Sequence, residues 1–138
     1  MYQPAIDIDA ITAIDVHTHV EADDHRHTSL DAELLDASAG YFRAPVPRAP
    51  TVADIADYYR QAKMAAVIFT VDATTALGGH PPVSSEMIAE QAAAHNEVLI
   101  PFGSVDPRNP AEAVARIKVL AEDYGVRGMK FHPSLQGF

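Results

Sequence analysis

Cysteine is absent from the 138 residues, which rules out disulfides, thiolate metal sites and cysteine nucleophiles. Any bound metal must therefore be held by nitrogen and oxygen ligands. No apolar run approaches the ~18 residues that a membrane span needs. Met1-Tyr-Gln-Pro-Ala5 has neither the basic flank nor the apolar stretch of a signal peptide, so a cytoplasmic protein with no membrane partner is expected. Positive charge is also scarce: 10 Lys and Arg against 19 Asp and Glu give a formal charge of −9. Such a field repels polyanions and makes nucleic acid a poor partner, although a few local cations can still bind a small anionic substrate. What remains is ordinary for one folded domain, with 48% apolar and 21% charged residues, and seven histidines are available as ligands.

Tight-turn hairpin signals are missing between the apolar runs. The order is strand, loop, amphipathic helix, strand, which predicts parallel βαβ units. Four strands are expected, at about Ala13 to Val20, Ala65 to Asp72, Leu99 to Asp106 and Val126 to His132. Thr51, with Asp54 three residues on, opens a helix placing Val52, Ile55, Tyr59 and Ala62 on one face. Ser84 or Ser85 opens an alanine-rich helix ending near Asn96. Asn109-Pro110-Ala-Glu112 opens another, with Val114, Ile117, Leu120 and Tyr124 following and Gly125 as its stop. The segment from Glu21 to Pro50, with a short helix near Leu30 to Ala39, is too long for a plain connection and suits a pocket-building loop.

Alternation along the first strand puts Asp15, His17 and His19 on one face and Ile14, Val16, Thr18 and Val20 on the other. Two histidines at i and i+2 can both reach one ion, and catalytic groups of parallel barrels sit where this pair does, at the C-terminal end of a strand. In the fourth strand Lys130 and His132 share the inward face. An inward lysine is a partner for a substrate anion, a carbamylated metal ligand or an ion-paired structural group, and His132 either touches substrate or metal or caps the chain before Pro133. His25-Arg26-His27 reads as a solvated loop and His80 as part of a turn. Arg43 and Tyr41 could meet an anionic substrate, and Asp72 and Asp106 are pocket residues or helix caps.

Asp15-Val-His-Thr-His19, followed by Gly128-Met-Lys-Phe-His-Pro133, resembles the amidohydrolase superfamily in its amidohydrolase-related, aminocarboxymuconate-semialdehyde decarboxylase-like branch. Tyr41-Phe-Arg-Ala-Pro45, Val67-Ile-Phe-Thr-Val-Asp72 and Lys130-Phe-His-Pro-Ser-Leu135 look most like its 4-hydroxyphenyl-β-ketoacyl-CoA hydrolases. The resemblance implies an α/β fold, namely strands 1 to 4 of a TIM-like (β/α)8 barrel, with residues 1–138 as the N-terminal part of one domain. It implies His17 and His19 as ligands of a divalent ion, expected as Zn2+, completed by a histidine and a catalytic aspartate expected past residue 138. Lys130, His132 and Arg43 would orient an anionic small-molecule substrate, and metal-activated water would attack its carbonyl. A nonoxidative decarboxylase on the same scaffold, a phosphoesterase or nuclease barrel, and a non-catalytic fragment are the alternatives. A half-sheet with open edges should also pair with other copies, so a homo-oligomer is expected.

Overall fold

In the computed structural model, which describes residues 1–41, 43 and 49–138, three parallel strands form one sheet. These are β1 (Ile14–His19), β2 (Ala65–Phe69) and β3 (Leu99–Pro101), adjacent in that order. β2 is central and buried at every position, as its uninterrupted apolar run requires. The expected fourth strand does run parallel beside the end of β3, but it is reduced to a single bridge between Gly103 and Met129. Its backbone bonds are Arg127 N to Pro101 O at 2.9 Å, Gly103 N to Gly128 O at 2.9 Å and Lys130 N to Gly103 O at 2.7 Å. Pro101 has no N–H to donate, which removes a rung where this pairing begins.

The helices are α1 (Ala32–Tyr41), α2 (Val52–Gln61), α3 (Ser85–Ala93), α4 (Pro110–Val119) and α5 (Pro133–Gln136). Thr51 and Asp54 make the anticipated reciprocal capping box at the start of α2, and the Ser84 hydroxyl accepts from Met87 N at the start of α3. Ile55, Ala56 and Tyr59 of α2 and Ile88 and Ala92 of α3 pack with Ala66, Ile68 and Leu99 of the sheet in one core cluster. A second cluster joins Ala89, Val105, Ala113, Leu120 and Val126. The N-terminal segment is tied to the sheet by the buried Tyr2, whose hydroxyl donates to Leu99 O at 2.7 Å.

Three details of the helix reading need correction. Ala62 is exposed, because it is the C-cap of α2 and no longer on its buried face. Val114 is 56% exposed and Ala113 is buried instead; the inward row is Ala113, Ile117, Leu120 and Tyr124, one position off at its start. Asn109 makes no capping bond to the backbone, its amide donating instead to the Glu112 carboxylate. After Val119 the helix widens into a π turn, Leu120–Tyr124, closed by Gly125 in the left-handed region at φ 76°. Of the stretch from Tyr41 to Pro50, residues 42 and 44–48 lie outside the described residues.

Candidate active site

β1 is irregular where its chemistry lies. Ile14 and Asp15 pair with Ala65 and Ala66, whereas Thr18 and His19 pair with Ile68 and Phe69, so β1 carries one extra residue between Asp15 and Thr18. Such a bulge reverses the facing of everything beyond it. Asp15 consequently does not share a face with His17 and His19, contrary to simple alternation. Its carboxylate turns to α2, where Oδ2 accepts from the Tyr59 hydroxyl at 2.6 Å and Oδ1 from His17 N at 2.9 Å. The Thr18 hydroxyl lies 2.9 Å from the same Tyr59 oxygen. The hydrogen bond from Tyr59, then that from the His17 backbone, holds the Asp15 carboxyl below its usual value. Nor do Ile14 and Val16 pack on helices as expected: they are 43% and 71% exposed, and Asp15 takes the side that faces α2.

Beyond the bulge the two imidazoles come together, with Nε2 of His17 and Nε2 of His19 3.3 Å apart. Two nitrogens on one tetrahedral ion, each at about 2.0–2.1 Å, would be separated by about 3.3 Å. The pair therefore fits two adjacent positions around a divalent cation. Two imidazole lone pairs facing each other this closely repel unless a proton or cation lies between them. Lys130 Nζ completes the group at 3.3 Å from His17 Nε2. Phe69, at the end of β2, floors all three, its ring 5.5 Å from His17, 4.9 Å from His19 and 4.7 Å from Lys130 Nζ. Among the described residues no set of three or more His, Asp, Glu or Cys is gathered around a single point.

The electrostatics favour neutral nitrogen donors. Burial first, then the electrostatic influence of the neighbouring His17, Lys130 and His132, pushes His19 down to about 4. Burial likewise lowers the Lys130 ammonium. Glu21, two residues beyond His19, has an oxygen 3.4 Å from His19 Nδ1, and burial raises its carboxyl. A carboxylate on the far nitrogen of an imidazole is the usual way to orient a metal-binding histidine.

These groups open onto a cavity of about 570 Å³ lined by His17, His19, Glu21, Leu30, His132 and Leu135, among others. That is the size of a small-molecule site. His132 is the N-cap of α5, its Nδ1 accepting from Leu135 N at 3.2 Å. The fully buried Gln136 fixes that turn, accepting from His132 N at 2.7 Å and donating to Asp72 O and Val105 O. Of the residues singled out from sequence, His17, His19, Lys130 and His132 thus come together. Arg43 does not join them: it is exposed in a turn after α1, at φ 53°, and is not part of the cavity wall.

Several other residues occupy places that sequence alone did not give. His27 is not simply solvated, since its Nε2 bonds to Pro81 O at 2.9 Å while His80 Nε2 bonds to Thr28 O at 2.8 Å, the two rings stacking at 5.6 Å. Asp72 and Asp106 line a separate cavity of about 350 Å³ with Arg116. Their carboxylates tie loops there, Asp72 to Thr74 and Asp106 to Thr75 and Arg108. Glu21 and Phe69 were missed; the one available signal was a lone carboxyl framed by Val20 and Ala22 directly after the histidine strand.

The family model described as amidohydrolase matches residues 14–138, from the first residue of β1 through α5. The chain belongs to the amidohydrolase family. No curated protein and no solved structure gives a match to the chain. The amidohydrolase scaffold is a TIM-type barrel, and a parallel sheet with covering helices is consistent with such an arrangement. Amidohydrolase-superfamily enzymes typically bind divalent metals and act on small molecules, which is the general activity that membership supports. No helix among the described residues is long and apolar enough to cross a membrane.

Proposed function

We propose that the chain serves a metal-dependent hydrolase in which His17 and His19 hold a divalent ion, Zn2+ by the chemistry of a cysteine-free imidazole pair. The observation that carries this reading is the 3.3 Å approach of the two Nε2 atoms at the C-terminal end of β1. When bound, such an ion polarises a carbonyl and acidifies water. Glu21 steadies the His19 ring through Nδ1. Lys130, half-buried against Phe69, supplies positive charge for a carboxylate or for an enolate developing in the reaction. His132 spends Nδ1 on the turn of α5, so its neutral ring carries the proton on Nε2 and can donate to the same anion. Arg43 is the substrate contact with least geometric support, lying outside the cavity wall.

The proposed substrate is an aromatic β-ketoacyl thioester or a similar carbonyl compound. Leu30, Val71 and Leu135 give an apolar wall for the aryl end, and the polar group at His17, His19 and Lys130 faces the carbonyl. Addition of water at the keto carbon breaks the bond to the α-carbon, giving an aromatic acid and a shortened acyl thioester once the α-carbon takes up a proton. The test supplies Zn2+ and an aromatic β-ketoacyl-CoA and follows both products. Aromatic acid and acyl-CoA in equal amounts are expected, with His19→Ala slower by more than about 100-fold, beyond the 10–100-fold that loss of a supporting partner produces. Release of carbon dioxide from an aromatic or muconate-type acid instead would make the enzyme a decarboxylase.

A further inference from the structure

The histidine pair faces the cavity and not α2 because β1 bulges, and the bulge is held from outside the strand. A bulge leaves the extra residue without a rung in the ladder. Here the orphaned amide of His17 is taken by Asp15 Oδ1 at 2.9 Å, while Asp15 Oδ2 receives the Tyr59 hydroxyl at 2.6 Å. A phenol has one proton to give. Having given it to Asp15, Tyr59 accepts from the Thr18 hydroxyl at 2.9 Å. One oxygen on α2 thus grips β1 on both sides of the bulge.

We propose that Tyr59 is the positioning residue of the histidine pair, fixing the phase of β1 that turns His17 and His19 together toward the cavity. This rests on the reading that the pair binds a divalent ion. If the Ile14–Ala65 and Asp15–Ala66 pairings were kept and the bulge removed, His17 would fall opposite Ile68 and Thr18 opposite Phe69. Both imidazoles would then face α2 and leave the cavity. Tyr59 is suited to prevent this slip because it is buried in the core cluster of α2, a helix whose first turn is locked by its capping box. The neighbouring Tyr58 is exposed and makes an edge contact with the Tyr59 ring, but no hydrogen bond to β1.

Competition of the chain with a chromophoric chelator for Zn2+ tests this, with thermal melts on the same samples. Tyr59→Phe removes a single oxygen, and Asp15→Asn attacks the same link from the strand. Each is expected to weaken Zn2+ binding by about 10-fold or more, the double variant adding little, while Tyr58→Phe matches wild type. A melt left near the wild-type value alongside the lost affinity separates positioning from general destabilisation. Zn2+ affinity within twofold of wild type in both Tyr59→Phe and Asp15→Asn would overturn the proposal, provided that His17→Ala abolishes binding. Wild-type affinity no better than that of His17→Ala would instead overturn the metal reading itself.

Discussion

His19 is the residue whose protonation the fold alters most plainly: burial first, then its neighbours His17, Lys130 and His132, bring it from an ordinary 6.5 to about 4. Between those values the unfolded chain binds a proton that the folded chain does not. Its contribution to stability is therefore undiminished above about pH 6.5, falls as pH drops toward 4, and stops changing below that. Imidazole NMR should find the His19 ring neutral down to about pH 4, and a midpoint near 6.5 would contradict the burial seen here. The residue scale also shows what a single sequence can carry. The i, i+2 spacing of His17 and His19 was legible because alternation is local. The misplacement of Asp15 arose because a bulge belongs to the pairing of two strands, and no pattern within Ile14–His19 announces it.

At the scale of the elements, helix starts were the clearest text, since caps are made by residues two or three positions apart. Two of the expected caps nevertheless differ in the structure, and their difference is measurable. Thr51 both donates to and accepts from its helix, so Thr51→Ala should lower unfolding free energy by about 1 kcal/mol in a denaturant titration. Asn109 bonds only to a side chain, so Asn109→Ala should change it by less than half as much. Gly125 is a sterner case: at φ 76° an added Cβ would stand 2.7 Å from Tyr2 O, a backbone atom that cannot swing aside. Gly125→Ala should therefore cost about 1–3 kcal/mol and loosen the N-terminal segment, visible as faster amide exchange at Tyr2. The fourth strand was the least legible element, because Pro101 trims the ladder on β3 and not on the strand being read.

At the scale of the whole molecule, the alternating pattern sufficed to predict a parallel sheet covered by helices, and family membership implies a barrel scaffold with which such a sheet is consistent. The position of Glu21 and Phe69 around the histidines was out of reach, because it depends on how loops and strand ends converge in space. Among the described residues β1 pairs on one edge only, and Ile14 and Val16 there are exposed. Self-association is the expected consequence, checked by sedimentation across a range of concentrations; a monomer throughout would show that the edge is otherwise protected. The proposed metal site requires His17 and His19 to close on one cation. Titrating Zn2+ into the nitrogen-15-labelled chain while observing the imidazole nitrogens tests it most directly. Nε2 of both rings should shift together and saturate at one ion per chain, whereas a shift confined to one of them, or appearing at His25, His27 or His80 instead, would contradict it.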